Sequence, residues 1–284
     1  MRKGRYGAVL AAVVALTLLL TACSSKKDTT VVDKAKNDKK LTIGIKYDQP
    51  GIGLKKPDGS VEGFDVDVAR YIAKQLGVSE KNITWKETRS ANRESFIQNG
   101  NVDLVIASYS INAERQKKVS FGGPYYLAHQ DIMVRANDNS IKSFASLKGK
   151  RVCQVAGSNS WGNITNGTNK LNQKENVTLV PANSYDECIT KLRGKTVDVL
   201  STDDVILAGY AARNPKDFKV VNVPFTDEKY GVGFKKGEKK TCEAVNSAIK
   251  KMYESGEAKN ILQKNFGSTS FKYDDKLPTP EPCK

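Results

Sequence analysis

Histidine is almost absent from this chain, with one residue, His129, in 284. Cysteine is scarce too: there are five, none in a Cys-x-x-Cys spacing, so the pattern predicts no zinc site. The motifs HExxH, GxSxG and GxxxxGK are missing, and Gly51-Ile52-Gly53 lacks the third glycine of a dinucleotide loop. His129 has no obvious nucleophile near it in sequence. Most acid–base schemes therefore lose their usual base, and neither an enzyme nor a cofactor is expected. After residue 20 no apolar run is long enough to span a membrane. Acidic residues are outnumbered, 31 against 46 Lys and Arg, for a formal net charge of +15. Such an excess raises nucleic acid as a partner, but the export leader described next argues against it. A solvated basic surface is the expectation, with a local role in attracting anionic ligands left open.

What is present begins at the N-terminus. Arg2, Lys3 and Arg5 precede an apolar stretch over residues 8–20, which ends in Leu20-Thr21-Ala22-Cys23. These are the parts of a bacterial export signal in order. The last four residues resemble the lipobox of bacterial lipoproteins, which implies removal of residues 1–22 and lipidation of Cys23. An uncleaved anchor is disfavoured, because a spanning helix needs about 20 apolar residues. Residues 24–40, SSKKDTTVVDKAKNDKK, are polar and lysine-rich, so they read as a flexible leash whose lysines are drawn to an anionic membrane surface. The other cysteines, Cys153, Cys188, Cys242 and Cys283, fit disulfides in an oxidising compartment, with three connectivities open.

The remainder has a βα rhythm. Strands are expected over 41–45, 83–85 and 102–107, with helices over 65–76 and 92–98. After Tyr125-Tyr126 a second series predicts strands near 131–135, 151–155, 177–180, 197–200 and 219–223, and helices at about 160–172, 185–193 and 204–212. The spacing of Cys242, Val245, Ile249 and Met252, and then residues 258–266, predicts a helical tail. Parallel sheets with crossover helices, in two lobes, are the expected α/β arrangement.

Gly63-Phe64-Asp65-Val66-Asp67-Val68 resembles the signature of the family 3 extracellular solute-binding proteins, the polar amino-acid receptors of ABC importers. Further landmarks follow in the family's order. They are residues 103–110 (DLVIASYS) with Glu114-Arg115, residues 121–126, Gly157-Ser158-Asn159, Asp203, and residues 256–266. The resemblance implies a two-lobe periplasmic-binding-protein-like (type II) clamp with two interlobe crossovers. Residues 1–22 are then the signal peptide and 23–39 the lipidated linker. Residues 40–128 and 229–284 make lobe one, and 129–228 lobe two. Within those lobes Cys153 pairs with Cys188 and Cys242 with Cys283.

It also implies a site. An α-amino acid needs a fixed cation and a fixed anion at complementary distance. Arg115 offers its planar fork to the α-carboxylate, helped by the Ser110 backbone N–H and by Asn159 from the other lobe. Asp203 and the Ser108 oxygens receive the ammonium, and Phe64 covers the aliphatic stem. Ser90-Ala91-Asn92-Arg93 resembles the S-x-N-R segment of glutamate/aspartate receptors. Together with Lys46, it aims two cations at one distal group. Thr202 and Tyr185 stand at positions that sometimes touch the side chain. The implied protein is a monomeric receptor, lipid-anchored on the extracytoplasmic face of the cell membrane, that passes glutamate or aspartate to membrane permease subunits. A glutamine or asparagine receptor, or a sensor for a membrane kinase, uses the same clamp.

Overall fold

The computed structural model describes residues 29–283. Cys23 and the leader, and with them the expected cleavage and lipidation, lie outside the described residues. The chain runs from α1 (Val31–Asp38) through β1 (Leu41–Ile45), β2 (Asp48–Gln49), β3 (Gly53–Lys55), β4 (Val61–Glu62) and α2 (Phe64–Gln75). It continues with β5 (Ile83–Glu87), α3 (Arg93–Gln98), β6 (Leu104–Val105), α4 (Ala113–Gln116) and β7 (Ser120–Ala128). The middle of the chain forms β8 (Gln130–Arg135), β9 (Arg151–Val155), α5 (Ser160–Thr165), β10 (Thr178–Ala182), α6 (Tyr185–Arg193), β11 (Leu200–Asp203), α7 (Asp204–Arg213) and β12 (Phe218–Val220). It then returns through β13 (Glu228–Phe234), α8 (Lys239–Glu254) and α9 (Glu257–Phe266).

These elements sort by sheet into two α/β lobes. One holds the five-stranded sheet β5-β1-β6-β13-β7; the other holds β11-β8-β12 and β10-β9, linked by a bridge from Val152 to Val199. The sheet of the first lobe, expected as parallel with crossover helices, is mixed. Strands β1, β5 and β6 are parallel, as α2 and α3 crossovers require. β13, which re-enters from the second lobe, inserts between β6 and β7 and runs antiparallel to both. The chain passes between lobes twice, at His129 and at residues 221–227. The two passages are bonded to each other: His129 Nδ1 lies 3.0 Å from Thr226 O and 2.9 Å from Asp227 Oδ1, and Gln130 N–H donates to Thr226 Oγ1 at 3.0 Å. The sole histidine thus belongs to the hinge.

Local chemistry explains the boundaries. Gly63, at φ 126°, precedes α2, and a Cβ there would fall 2.3 Å from Ile52 O, so only glycine fits. Asp65 and Asp67 then occupy the first turn, where the helix dipole favours acids. Ser184 caps α6 by accepting from Glu187 N–H at 3.2 Å. The helix expected over 160–172 stops at Thr165, before Gly167 with φ 73°. The strand expected over 197–200 is displaced to Leu200–Asp203, which carries Asp203 to the end of β11.

The flexible leash is also corrected. Within it, Thr30 and Asp33 form a reciprocal capping box, and Val31 and Ala35, one turn apart, bury one face of α1 against α8 and β1. Lys34 pairs with Asp103 at 2.8 Å, and Val31 N–H donates to Glu238 at 2.9 Å. Two small apolar residues were enough because the lobe supplies the partners. Ala35→Asp should place an unpaired charge on this face, free the segment to proteolysis and cost about 1–2 kcal/mol. Limited digestion with mass spectrometry checks it, and an unchanged cleavage pattern would refute the docking.

Both disulfides are formed, Cys153–Cys188 between β9 and α6 and Cys242–Cys283 between α8 and the C-terminal tail, with Cα separations of 5.8 and 5.6 Å.

Candidate functional site at the junction of the lobes

Arg115 and Asp203 come from different lobes, and the charge of the arginine is felt at the buried carboxyl. Asn112 caps the short α4, accepting from Arg115 N–H at 2.9 Å, and this fixes where the arginine leaves the backbone. The buried guanidinium donates to Ser110 O at 2.7 Å and, across the lobe junction, to Gly157 O at 3.3 Å and Asn159 Oδ1 at 3.5 Å. Burial, and then the neighbouring Arg93, lower its pKa to about 10. Asp203, also buried, accepts from Tyr230 OH at 2.5 Å. Its pKa is raised well above the usual carboxylate range by burial and then by Glu228. Tyr230 also bridges the backbone of Ser110, so one residue links the arginine end of the site to the aspartate. Glu228 accepts from Asn159 Nδ2 at 3.1 Å and Asn163 Nδ2 at 2.9 Å, both on or beside α5.

A second cluster adjoins the first. Lys46, the residue after β1, is 3% exposed, and its Nζ donates to Ser90 Oγ at 2.7 Å. Arg93, 2% exposed at the start of α3, donates to Ala107 O, Ser108 O and Gly157 O, each at 3.1 Å. Neither cation has an ion-pair carboxylate within 4.0 Å among the described residues. Burial, and then Arg93, push the Lys46 ammonium down to about 7. Ser108 adopts a left-handed φ of 42°, rare for a residue with a Cβ. Asp65 holds it there, accepting from Ser108 N–H at 2.6 Å while Tyr125 OH occupies its other oxygen at 2.7 Å. Burial raises Asp65 to about 6 despite those two donors.

Tyr185 and Thr202 meet beside these clusters. Thr202 Oγ1 donates to Tyr185 OH at 2.7 Å, and Tyr185 OH donates to Ser158 Oγ at 3.2 Å. The lobes touch directly. Tyr185 N–H donates to Asp48 Oδ2 at 3.1 Å, and Tyr210 OH reaches Asp48 O at 2.5 Å. Gly157 lies so close to Ser90 that a Cβ would come within 2.5 Å of its backbone, and Gly209 lies still closer to Pro50.

The structure therefore brings together Arg115, Asp203, Ser108, Ser110, Lys46, Arg93, Ser90, Asn159, Thr202 and Tyr185. Phe64 is the exception, and its expected place over the ligand stem is corrected. Its ring packs 5.3 Å from Tyr126 and 5.9 Å from both Tyr125 and Phe266, within the core of the first lobe. As the first residue of α2 it turns inward with Val66 and Ala69, and an aromatic there is core.

Four neighbours were missed. Tyr109 lies under both guanidiniums, 4.3 Å from Arg93 and 5.1 Å from Arg115, and it stands inside the DLVIASYS run. Asp65 stands in the Gly63–Val68 signature. Glu228 and Gln49 carry no sequence signal, because long-range folding alone puts them here. The site thus brings an aspartate and an arginine to one end and, to the other, two basic side chains with no ion-pair carboxylate among the described residues, enclosed by both lobes.

A family model, bacterial extracellular solute-binding proteins, family 3, matches residues 41–268. The chain is 38% identical to the glutamate-binding protein GluB of Corynebacterium glutamicum, over 96% of this chain and 94% of that protein. It is 36% identical to the ABC transporter glutamine-binding protein GlnH of Bacillus subtilis, over 87% and 92%. Among solved structures, an ancestral arginine-binding protein bound to glutamine superposes with a TM-score of 0.72 at 32% identity, covering 81% of this chain and 98% of that one.

Proposed function

Since the chain belongs to the bacterial extracellular solute-binding proteins, family 3, we propose that it captures L-glutamate, with aspartate as the shorter alternative, for an ABC importer. The observation that carries the acidic side chain is the buried pair Lys46 and Arg93, two basic groups without an ion-pair carboxylate among the described residues. A desolvated cation left unpaired is costly, and a distal carboxylate relieves both. At the other end Arg115 takes the α-carboxylate with Ser110 and Asn159, and Asp203 with Ser108 takes the ammonium. Phe64 has no part. Because contacts come from both lobes, the closed form binds ligand better than an open one, which is the differential affinity that closure requires.

The proposal includes a lipid at Cys23, a place on the outer face of the cell membrane, and delivery to permease subunits. The lobes it moves are residues 40–128 with 229–284, and residues 129–228. No helix among the described residues is long and apolar enough to cross a membrane.

Calorimetric titration with glutamate, aspartate, glutamine and asparagine tests the reading. Glutamate should bind with a Kd of about 1 µM or tighter, roughly −8 kcal/mol. A preference for the amides would overturn it. Glutamine is the second reading, supported by the pKa of Lys46 near 7, since a neutral amine at that place accepts an amide.

The same shift sets a pH dependence. A lysine whose pKa is lowered is neutral above about 7, so glutamate binding there must take up a proton. Between about pH 7 and 8.5 glutamate affinity should fall by up to tenfold per unit, while glutamine affinity stays flat. Titrations in buffers of different ionisation enthalpy report the proton directly, and no uptake would remove Lys46 from the distal subsite.

A further inference from the structure

Gln49 ends β2 and is fully buried. Its Oε1 accepts from Ser108 Oγ at 3.1 Å, but its Nε2, with two protons to donate, has no hydrogen-bond partner among the described residues. Buried polar groups are nearly always satisfied, so an orphaned amide nitrogen inside a binding site points to a ligand atom. Gln49 follows Lys46 by three residues, and its ladder partner Gly53 packs against the Lys46 backbone, where a Cβ would sit 2.8 Å from Lys46 O.

The polarity of the amide follows from the serine. A hydroxyl has one proton. When Ser108 Oγ accepts from the ligand's ammonium, its own proton must go elsewhere, and Gln49 Oε1 is in place to take it. That fixes the amide so that its oxygen faces Ser108 and its Nε2 faces outward as a pure donor. Asp65 and Arg93, which hold the two ends of the Ser108 backbone, keep the hydroxyl in register.

We propose that Gln49 is a specificity-determining residue of this site, whose Nε2 donates to the distal carboxylate of the bound amino acid alongside Lys46. The inference rests on the glutamate reading above. A donor at this point rewards an acceptor on the ligand and opposes a side chain that ends in ammonium or guanidinium, because two donors would then face each other. The ligand's ammonium and its distal carboxylate are thereby read through one chain: ammonium to Ser108, Ser108 to Gln49, Gln49 to carboxylate.

The test is titration of glutamate, glutamine and arginine into the wild-type protein, Gln49→Ala and the near-isosteric Gln49→Glu, with the melting temperature of each as a folding check. Gln49→Ala should weaken glutamate about 10- to 100-fold and glutamine less, since a charge-assisted bond is the stronger loss. Gln49→Glu should weaken glutamate at least as much and move glutamine or arginine ahead of it. Equal weakening of all ligands would mean a purely structural role and overturn the inference, as would glutamate binding within twofold of wild type in both variants. Wild-type protein that ignores glutamate defeats the proposed function itself, an outcome visible before any variant is tested.

Discussion

Arg115→Ala should abolish measurable binding of glutamate, glutamine and aspartate alike, a loss on the order of 10³-fold. The α-carboxylate is common to them all, and a buried, hydrogen-bonded charge pair loses about 2–5 kcal/mol when one partner is truncated. The same side chain donates to Gly157 and Asn159 across the lobe junction, so its removal also weakens the closed form. Arg115→Lys should recover little, because an ammonium cannot reproduce the planar fork. Calorimetry on folded variants decides: retention of any of these ligands within tenfold of wild type would mean that the α-carboxylate is held elsewhere.

Lys46→Met should invert the ranking, costing glutamate about 100-fold while glutamine binds as before or better. Lys46 is a cleaner probe than Arg93, which donates to three backbone carbonyls and would orphan them on truncation. The variant should also fold more stably without ligand. A lysine with its pKa lowered to about 7 is penalised when charged, so its cost is full below pH 7 and vanishes only above the ordinary value of 10.5. The gain in melting temperature should therefore shrink as pH rises towards 10. Unaltered preference for glutamate over glutamine would dissociate Lys46 from the ligand's distal end.

Periodicity made the framework legible. The apolar spacing over 65–76 and 185–193 corresponds to α2 and α6 within a residue, since each helix buries one face against a sheet. Topology was less accessible, because nothing local to residues 228–234 announces that this strand will enter the other lobe's sheet antiparallel. At the site, residues carried by short motifs, such as Arg115, Ser90 and Arg93, could be named from the chain alone. Phe64 was misread because the same motif serves the core, where an aromatic at the start of α2 meets Tyr126 and Phe266. Gln49 and Glu228 owe their places to partners 59 and 65 residues away, Ser108 and Asn163, and no window of sequence holds both.

The capped helix α1 changes how far a tethered clamp travels. A leash over residues 24–40 would extend about 60 Å, but with Val31 and Ala35 docked only residues 24–29 are left, about 20 Å of chain. The volume swept scales as the cube of reach, so with the proposed lipid at Cys23 the receptor is confined on the order of 25-fold more tightly, and its effective concentration at the membrane rises to match. Under the proposed anchoring at Cys23 the first lobe stays close to the bilayer, and a permease then needs only weak affinity to capture it.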